Sequence, residues 1–324
     1  MTLVTLNKGL DQISSYSKKA KQNLDYFTFI DLFSGIGGFH QAASQYGGKC
    51  MFASDIDKHA RHAYSINYKI KPHGDIASVD AESIPDHDIL FAGFPCQPFS
   101  IIGNRLGFND IRGTLFFEIV RILKEKKPRA FILENVKQLY THNKGRTLST
   151  ILENLKNLGY NVYCSVLNAL DYGLPQKRER TIIVGFLNGG DSFSFPKPKS
   201  INRISLEKIL EKRVDDKHYV SPRIREKRKM SHKSEHPVAI WHENKSGNVS
   251  SYPYSCALRA GASYNYLLVN GERRLTPREQ LRLQGFPDTF KIVCSDGQTR
   301  KQAGNAVPVP MIAAVLKEVL NELI

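Results

Sequence analysis

The stretch FIDLFSGIGGFH, residues 29–40, joins an apolar run, a glycine turn and an apolar helical pattern in one short segment. Glycine allows a tight turn and lets the backbone approach a ligand closely at the N-terminus of a helix. Gly35, Gly37 and Gly38 do not complete a dinucleotide signature, and no phosphate-binding Gly-Lys-Ser/Thr sequence follows them. The stretch therefore predicts a strand, a turn and a helix. It leaves open whether the turn binds a cofactor or is a plain glycine-rich turn.

The alternation of strand and helix patterns continues along the chain. Apolar, β-rich runs lie at residues 27–33, 50–55, 88–94, 130–135, 161–169 and 181–186. Between them, apolar residues recur at helical spacing. Such alternation forms an open, mostly parallel sheet with helices on both faces and with ligands at the carboxyl ends of its strands. The predicted fold class is therefore α/β, a Rossmann-like doubly wound sheet.

A second, smaller and irregular domain is predicted over residues 193–299. It begins in a Gly/Pro/Ser-rich seam, NGGDSFSFPKPKS, where the strand and helix pattern stops. Within it, Thr276 is the expected N-cap and Pro277 the expected first residue of a helix. The last 25 residues are apolar at helical spacing. We therefore assign residues 1–192 plus 300–324 to the first domain.

The charge of the chain indicates a polyanionic partner. Lys and Arg number 46 against 31 Asp and Glu, and residues 197–233 alone carry 13 basic against 5 acidic side chains. Neutralisation of phosphates by Lys and Arg supplies most of the sequence-independent affinity for nucleic acid. The candidate phosphate contacts in this segment are Arg223, Arg225, Lys227 and Arg228. The alternative is a solvated basic face without a partner.

The five cysteines and the absence of apolar segments predict a cytoplasmic protein. The cysteines are scattered and odd in number, which argues against a disulfide framework and for a reducing compartment. The N-terminus lacks the apolar core of a signal peptide, and no stretch reaches 18 consecutive apolar residues. We therefore expect no association with a membrane.

Three aspartates are candidates for binding a nucleoside. Asp55 and Asp57 follow the second predicted strand, about 20 residues after the glycine turn, where a carboxylate can accept hydrogen bonds from ribose hydroxyls. Asp75, after the next predicted helix, could reach an adenine amino group. For each of them alone, a solvated or N-capping aspartate is the alternative.

Cys96 is a candidate nucleophile. It lies in GFPCQPFS between Pro95 and Pro98, directly after a predicted strand. The alternative is a buried structural thiol, because a nucleophilic cysteine also needs a lowered pKa or a proton acceptor. A zinc-deaminase site is excluded, since the second cysteine that its pattern requires is replaced by Phe99.

Glu134 and two arginines complete the candidate site. Glu134 ends the apolar strand FILENV, and a carboxyl in that environment suits a group that shares a proton, although a solvated strand-end glutamate is the alternative. Arg178 and Arg180 stand two apart on an extended segment. Their side chains should point the same way and grip one anion together.

Six segments together resemble the DNA (cytosine-5)-methyltransferases, most closely the compact bacterial enzymes of restriction–modification systems. The segments are DLFSGIGGF, GFPCQPFS, ENV, QKRER, RLTPREQLRLQGFP and QAGNAVPVP. They occur in the family's order and span residues 28–190 and 272–315. The resemblance implies the fold of S-adenosylmethionine-dependent methyltransferases, with residues 193–299 as the domain that recognises the DNA target.

The resemblance implies a pocket for S-adenosylmethionine, with S-adenosylhomocysteine as product and no metal. Asp55 would hold the ribose hydroxyls, Asp75 the adenine, and Asn305 would tie the closing segment back to the active site. Ile56 stands where the family often has an aromatic residue, so aliphatic contact would replace stacking. The implied cofactor residues are Phe33, Ser34, Gly35, Ile36, Gly37, Gly38, Asp55, Ile56, Asp75, Ile76, Pro95 and Asn305.

The resemblance also implies the chemistry. Cys96 would attack C6 of a cytosine flipped out of double-stranded DNA, and Glu134 would hold N3 and the exocyclic amino group. Arg180, with Arg178 beside it, would orient the cytosine and its flanking phosphate. A monomer is expected. A cognate restriction endonuclease would share the target site without binding stably to this chain.

The expected DNA contacts lie in three segments. The loop after Cys96, which contains Arg112, would close over the DNA. Arg223 and Arg225 would contact phosphates. Base-edge contacts are expected from within residues 240–268, where the candidates are Asn248, Arg259 and Tyr264.

Two alternatives remain at this stage. A transfer RNA cytosine methyltransferase would keep the Pro-Cys and Glu-Asn-Val motifs, but that group typically has a Cys-Phe-Thr tripeptide, which this chain lacks. A catalytically inactive DNA-binding relative is the other, although the residues that the chemistry needs are present.

Overall fold

A six-stranded sheet forms the centre of the computed structural model, which describes residues 27–94, 115–198 and 204–323. The strand order is β2-β1-β3-β4-β7-β5, with β1 to β4 parallel and β7 antiparallel to both of its neighbours. The predicted α/β class with a mostly parallel sheet is confirmed. The strands are β1 Thr28–Leu32, β2 Lys49–Ser54, β3 Ile89–Gly93, β4 Ala130–Val136, β5 Asn161–Asn168, β6 Gln176–Lys177 and β7 Glu179–Phe186.

The helices at residues 38–43, 58–68, 115–126, 146–157 and 309–323 lie where apolar residues recur at helical spacing in the sequence. Thr276 is the N-cap predicted from the sequence, and its side chain forms a capping box with Glu279 ahead of Pro277. The helices are α1 Gly38–Ala43, α2 Lys58–Tyr68, α3 Leu115–Lys126, α4 Arg146–Asn157, α5 Leu206–Ile209, α6 Pro222–Ser231, α7 Pro277–Leu283, α8 Asp296–Asn305 and α9 Val309–Leu323.

Helices cover both faces of the sheet. Since neighbouring strand residues point to opposite sides, alternate residues of one strand pack on different helices. On β1, Phe29 packs with α1 and α9, whereas Ile30 and Leu32 pack with α3 and α4. The stretch Asp296–Leu323 is long and apolar enough to cross a membrane by composition, but 72% of its most apolar window is buried inside the protein. Its hydrophobicity is explained by the packing of α9 against the sheet.

A small three-stranded sheet, in the order β11-β8-β9, lies in the second part of the chain. Its strands are β8 Ile240–Glu243, β9 Val249–Tyr252 and β11 Leu267–Val269, and the short β10 Ser255–Cys256 pairs instead with β6. Lys291, which precedes the predicted boundary at residue 300, contacts α2. Asn67 of α2 exchanges two hydrogen bonds with the backbone of Lys291, at 2.7 and 3.1 Å.

Candidate active site

The carboxyl ends of β3 and β4 and the start of β7 meet at one edge of the large sheet. Gly93 pairs with Glu134 in the β3–β4 register, and Val136 pairs with Arg180 in the antiparallel β4–β7 register. Because β7 runs in the opposite direction, its first residues lie at the edge where the parallel strands end. The sheet topology thus brings Glu134 and Arg180 together, although they are far apart in the sequence.

Glu134 and Arg180 form an ion pair that is largely protected from solvent. Arg180 Nε lies 2.7 Å from Glu134 Oε1, and the two side chains are only 13% and 11% exposed. A charge-assisted hydrogen bond of this length fixes the orientation of the carboxylate. The other oxygen, Oε2, faces Gly93, since a Cβ placed on that glycine would lie 3.7 Å from it.

Phe94 follows β3 directly, and the predicted nucleophile, Cys96, comes two residues later in the sequence. Asn135, which was not predicted from the sequence, is 2% exposed and donates from Nδ2 to the Phe94 carbonyl at 3.0 Å. A buried amide at a strand end needs such a partner, and its position beside Glu134 in ENV was the available signal. Pro95, Cys96 and Arg112 lie outside the described residues.

The prediction that Arg178 and Arg180 grip one anion together is wrong for Arg178. The Arg178 side chain is 1% exposed and donates to the carbonyls of Leu258, Gly304 and Ala306 at 2.8, 2.9 and 2.8 Å. Burial lowers the pKa of its guanidinium to about 9, and the charge of Arg180 acts in the same direction. Its terminal nitrogens are engaged by backbone oxygens and are not available to a phosphate.

The glycine turn is held in shape by the second strand. Asp55 accepts from the amides of Gly35 and Asp57, each at 2.7 Å. Burial raises the pKa of the Asp55 carboxyl, and these two amide donors oppose that rise. Phe33 has a φ of 54°, a left-handed conformation that costs a non-glycine residue about 1–3 kcal/mol and that is concentrated at ligand sites.

The other predicted cofactor residues differ in their exposure. Ile56 is 77% exposed, although isoleucine is usually buried, and it follows Asp55 directly. Asp75 caps a short 3-10 helix by accepting from the amide of Ala77 at 3.0 Å. Ile36 and Ile76 are buried, with exposures of only 1% and 2%.

The closing segment reaches the same turn. Asn305 is exposed at the end of α8, and Val307 packs so closely on Gly38 that a Cβ there would lie 2.6 Å from Val307 Cγ2. Ser34 Oγ is buried and has no hydrogen-bond partner among the described residues. The strained turn, the carboxylate after β2, the exposed Ile56 and this unpaired hydroxyl fit a nucleoside cofactor such as S-adenosylmethionine.

The candidate base-reading residues lie at one end of the small sheet. Asn248 is in the turn between β8 and β9. Glu243, at the same end of β8, pairs with Val249 and donates its amide to the Tyr266 carbonyl at 3.0 Å. Tyr264 is 57% exposed and is covered on one face by the guanidinium of Arg300, 4.2 Å from its ring centre. Arg259 is exposed and lies over the ring of Tyr266.

The basic segment is divided by the fold. Arg223, Arg225 and Lys227 are at least partly exposed on α6. Arg228 is 3% exposed, pairs with Glu243 at 2.6 Å and donates to the Asn265 carbonyl at 2.8 Å. The prediction that Arg228 contacts phosphate is therefore wrong, because its guanidinium joins α6 to the small sheet.

The sheet, the glycine turn and the Glu134–Arg180 pair together define the S-adenosylmethionine-dependent methyltransferase class. The chain belongs to the C-5 cytosine-specific DNA methylase family, whose model matches residues 27–321. The predicted DNA (cytosine-5)-methyltransferase, resembling those of bacterial restriction–modification systems, is confirmed. The transfer RNA alternative is not favoured.

Two relatives and two solved structures illustrate the similarity. The type II methyltransferase M.NgoBI of Neisseria gonorrhoeae is 57% identical over 292 residues, 89% of this chain and 91% of the relative. M.HaeII of Haemophilus aegyptius is 55% identical over 298 residues, 91% and 93% of the two chains. A putative DNA modification methyltransferase of an E. coli prophage has a TM-score of 0.73 at 22% identity, over 92% of this chain and 99% of that one. A Spodoptera frugiperda DNMT2 variant has a TM-score of 0.72 at 22% identity, over 91% and 99%. At this identity the two structures support the fold alone.

Proposed function

We propose that this enzyme methylates C5 of a cytosine extruded from double-stranded DNA, with Cys96 as nucleophile. The observation that carries the proposal is the protected Glu134–Arg180 pair, in register with Gly93, from which the chain leads through Phe94 to Cys96. A base within a duplex cannot be reached by a thiolate, so extrusion has to come first. The relatives named type II methyltransferases support a role as the modification enzyme of a restriction–modification system.

The residues of this chain divide the reaction into steps. Attack of the Cys96 thiolate on C6 forms a carbon–sulfur bond, shifts the C5–C6 π electrons into the C4–C5 bond and places the developing negative charge on N3, so that C5 becomes nucleophilic. A proton held between Glu134 and N3 balances the charge that develops on the ring, and Arg180 keeps the Glu134 carboxyl in position. Methyl transfer to C5, loss of the C5 proton and elimination of the thiolate then restore the C5–C6 double bond.

S-adenosylmethionine, when bound, supplies the electrophilic methyl group. We propose that Asp55 receives its ribose hydroxyls, that Asp75 and Ile56 contact its adenine, and that Ser34, Phe33 and the glycine turn enclose it together with Asn305. Pro95 would join them by resemblance. No metal is required by this chemistry.

We also propose a role for each domain, an oligomeric state and a location in the cell. Residues 1–192 plus 300–324 would bind the cofactor and carry out the chemistry, and residues 193–299 would recognise the target. We expect a monomer in the cytoplasm, where its DNA substrate lies. A cognate endonuclease would share the target sequence and form no stable complex with it.

A direct assay tests the function. Purified protein is incubated with labelled S-adenosylmethionine and either duplex DNA or transfer RNA, and we expect label in 5-methylcytosine of the duplex DNA. Label in RNA alone would contradict the proposal. Bisulfite sequencing of methylated random duplexes would then identify the target sequence.

The basic residues of α6 should determine part of the salt dependence of DNA binding. Replacing Arg223, Arg225 and Lys227 with alanine is expected to reduce the slope of log affinity against log salt concentration by about 2 to 3, since each phosphate contact contributes about 0.9. Arg228 stays unchanged, because its replacement would break the buried contact with Glu243. The measurement is fluorescence anisotropy with a labelled duplex over a range of salt concentrations.

A control variant separates this effect from net charge. Alanine at Lys124, Lys156 and Lys317, which are exposed on α3, α4 and α9, removes the same charge outside α6. This control should leave the slope near that of the unmodified enzyme. An equal change of slope in both variants would return α6 to the solvated-face interpretation.

A further inference from the structure

A buried polar junction joins four separate segments of the chain. We define the junction as the side chains of Gln176, Arg178 and Gln284 with the backbone groups that they bind. Gln176 Nε2 donates to the Leu283 carbonyl at 2.8 Å, and Gln284 Nε2 donates to the Ala303 carbonyl. These three side chains are 0%, 1% and 0% exposed. Buried polar groups are unfavourable unless they are hydrogen-bonded. A network of this kind therefore holds the segments that it joins in one defined geometry.

The junction holds Leu258 by both of its backbone groups. Gln176 Oε1 accepts from the Leu258 amide at 2.9 Å, and Arg178 Nη1 donates to the Leu258 carbonyl at 2.8 Å. Leu258 directly precedes Arg259, at the start of the segment that contains the candidate base-reading residues Arg259 and Tyr264. The position of that segment is thus set by side chains from residues 176–178.

The same short segment sets the position of the catalytic pair. Gln176, Arg178 and Arg180 lie within five residues of one another, where the chain passes from β6 to β7. Arg180 binds Glu134, whereas Gln176 and Arg178 bind Leu258. A few residues of backbone therefore connect the group that would hold the flipped cytosine to the segment that would read its neighbours.

A third segment locks this arrangement. Arg178 Nη2 donates to the carbonyls of Gly304 and Ala306, on either side of Asn305. The backbone of Gly304 packs directly on the backbone after Leu258, since a Cβ at position 304 would lie 2.5 Å from the Ala260 amide nitrogen. Glycine is required there by this close approach.

We propose that Gln176 and Arg178 are positioning residues that set the register between the base-reading segment and the Glu134–Arg180 pair, and thereby determine how strictly methylation depends on the target sequence. The inference rests on the proposed function. Hydrogen bonds to base edges tolerate little displacement, and so does the geometry of attack at C6. A shift of the Leu258 backbone relative to Arg180 would therefore weaken the discrimination between the target sequence and other sequences.

Two variants disturb the junction by independent routes. Arg178→Lys replaces a planar fork with a single ammonium group on a flexible stem, which cannot reproduce the geometry of the three contacts. Gly304→Ala keeps every side chain of the junction and pushes the Ala260 backbone away from the opposite side. Neither changes Arg180, Glu134 or a candidate base-reading side chain.

The readout is the ratio of methylation at the preferred target to methylation at sites that differ from it by one base pair. It is measured by bisulfite sequencing of a randomised duplex library that has been treated with each enzyme at the same concentration. Both variants are expected to lower this ratio by about tenfold, the effect of one lost base-edge contact. Their kcat on the preferred target should fall as well.

Ile151→Ala is the matched control for loss of stability. Ile151 is fully buried on α4, on the face of the sheet opposite the junction. Its replacement should lower the melting temperature and the amount of active enzyme while leaving the methylation ratio unchanged. Unchanged ratios in Arg178→Lys and Gly304→Ala, with activity lost only in proportion to stability as in Ile151→Ala, would overturn the positioning role. If Arg178→Lys does not fold, Gly304→Ala decides the question. Failure of the unmodified enzyme to methylate any DNA would instead overturn the proposed function.

Discussion

Replacement of Cys96 with serine is expected to abolish methyl transfer, lowering kcat by at least about 10⁴-fold, while DNA binding is retained. A serine hydroxyl is much less acidic than a thiol and supplies almost no nucleophilic anion near neutral pH. Asn135 holds the Phe94 carbonyl at the edge where Glu134 and Arg180 meet, two residues before Cys96 in the sequence. The measurements are label transfer to duplex DNA and a gel-shift titration with the same duplex.

Cys294→Ser is the matched control. Cys294 is a partly exposed free thiol whose Sγ lies near the carbonyl of His59, in the contact between residues 291–298 and α2. Its replacement should leave methyl transfer close to that of the unmodified enzyme. An active Cys96→Ser enzyme would refute the nucleophile assignment. Loss of activity in both variants would show that the enzyme is inactivated by replacement of either thiol, and would not support a special role for Cys96.

The second large effect is expected at Glu134. Glu134→Gln keeps the size of the side chain but removes the charge and the shared proton, and it leaves the guanidinium of Arg180 largely buried without its ionic partner. We expect kcat to fall by about 10²- to 10⁴-fold, the range typical of a removed acid–base group. Single-turnover methyl transfer measures the chemical step, and melting temperature reports whether the fold is retained.

A double-variant cycle tests whether the pair acts as a unit. Arg180→Ala alone should cost nearly as much as Glu134→Gln alone, and the double variant should lose little more than either one. The control is Glu179→Gln, which breaks the ion pair with Lys137, also 2.7 Å long but with side chains 34% and 52% exposed. An exposed pair contributes little, so this control should be nearly silent. Strictly multiplicative losses at Glu134 and Arg180 would contradict joint action.

Much of the fold could be predicted from local patterns. Each of the six predicted strands coincides with an observed strand of the large sheet, and the Thr276 cap begins α7 as expected. Strand alternation, helical periodicity and capping depend on side chains a few residues apart, so they can be read from neighbours in the chain. The position of Glu134 at the end of an apolar strand was of this kind.

Three side chains could not be interpreted in that way. Arg178 and Arg228 occur in basic motifs that suggested anion contacts, yet both are buried against carbonyl or carboxylate oxygens from distant segments. Asn135 was hidden by its neighbour Glu134. In each case the partner is at least 15 residues away in the sequence, and in the junction of Arg178 it is 80 or more.

The sequence by itself determined the class of fold, the order of the motifs and the residue types available for the chemistry. These depend on periodicity and on residues that stand close together in the chain. Only the tertiary structure decided which arginines remain free to meet DNA. A guanidinium binds backbone carbonyls, carboxylates and phosphates with the same donors. Which of these oxygens lies within its reach is therefore determined by the packing of distant segments.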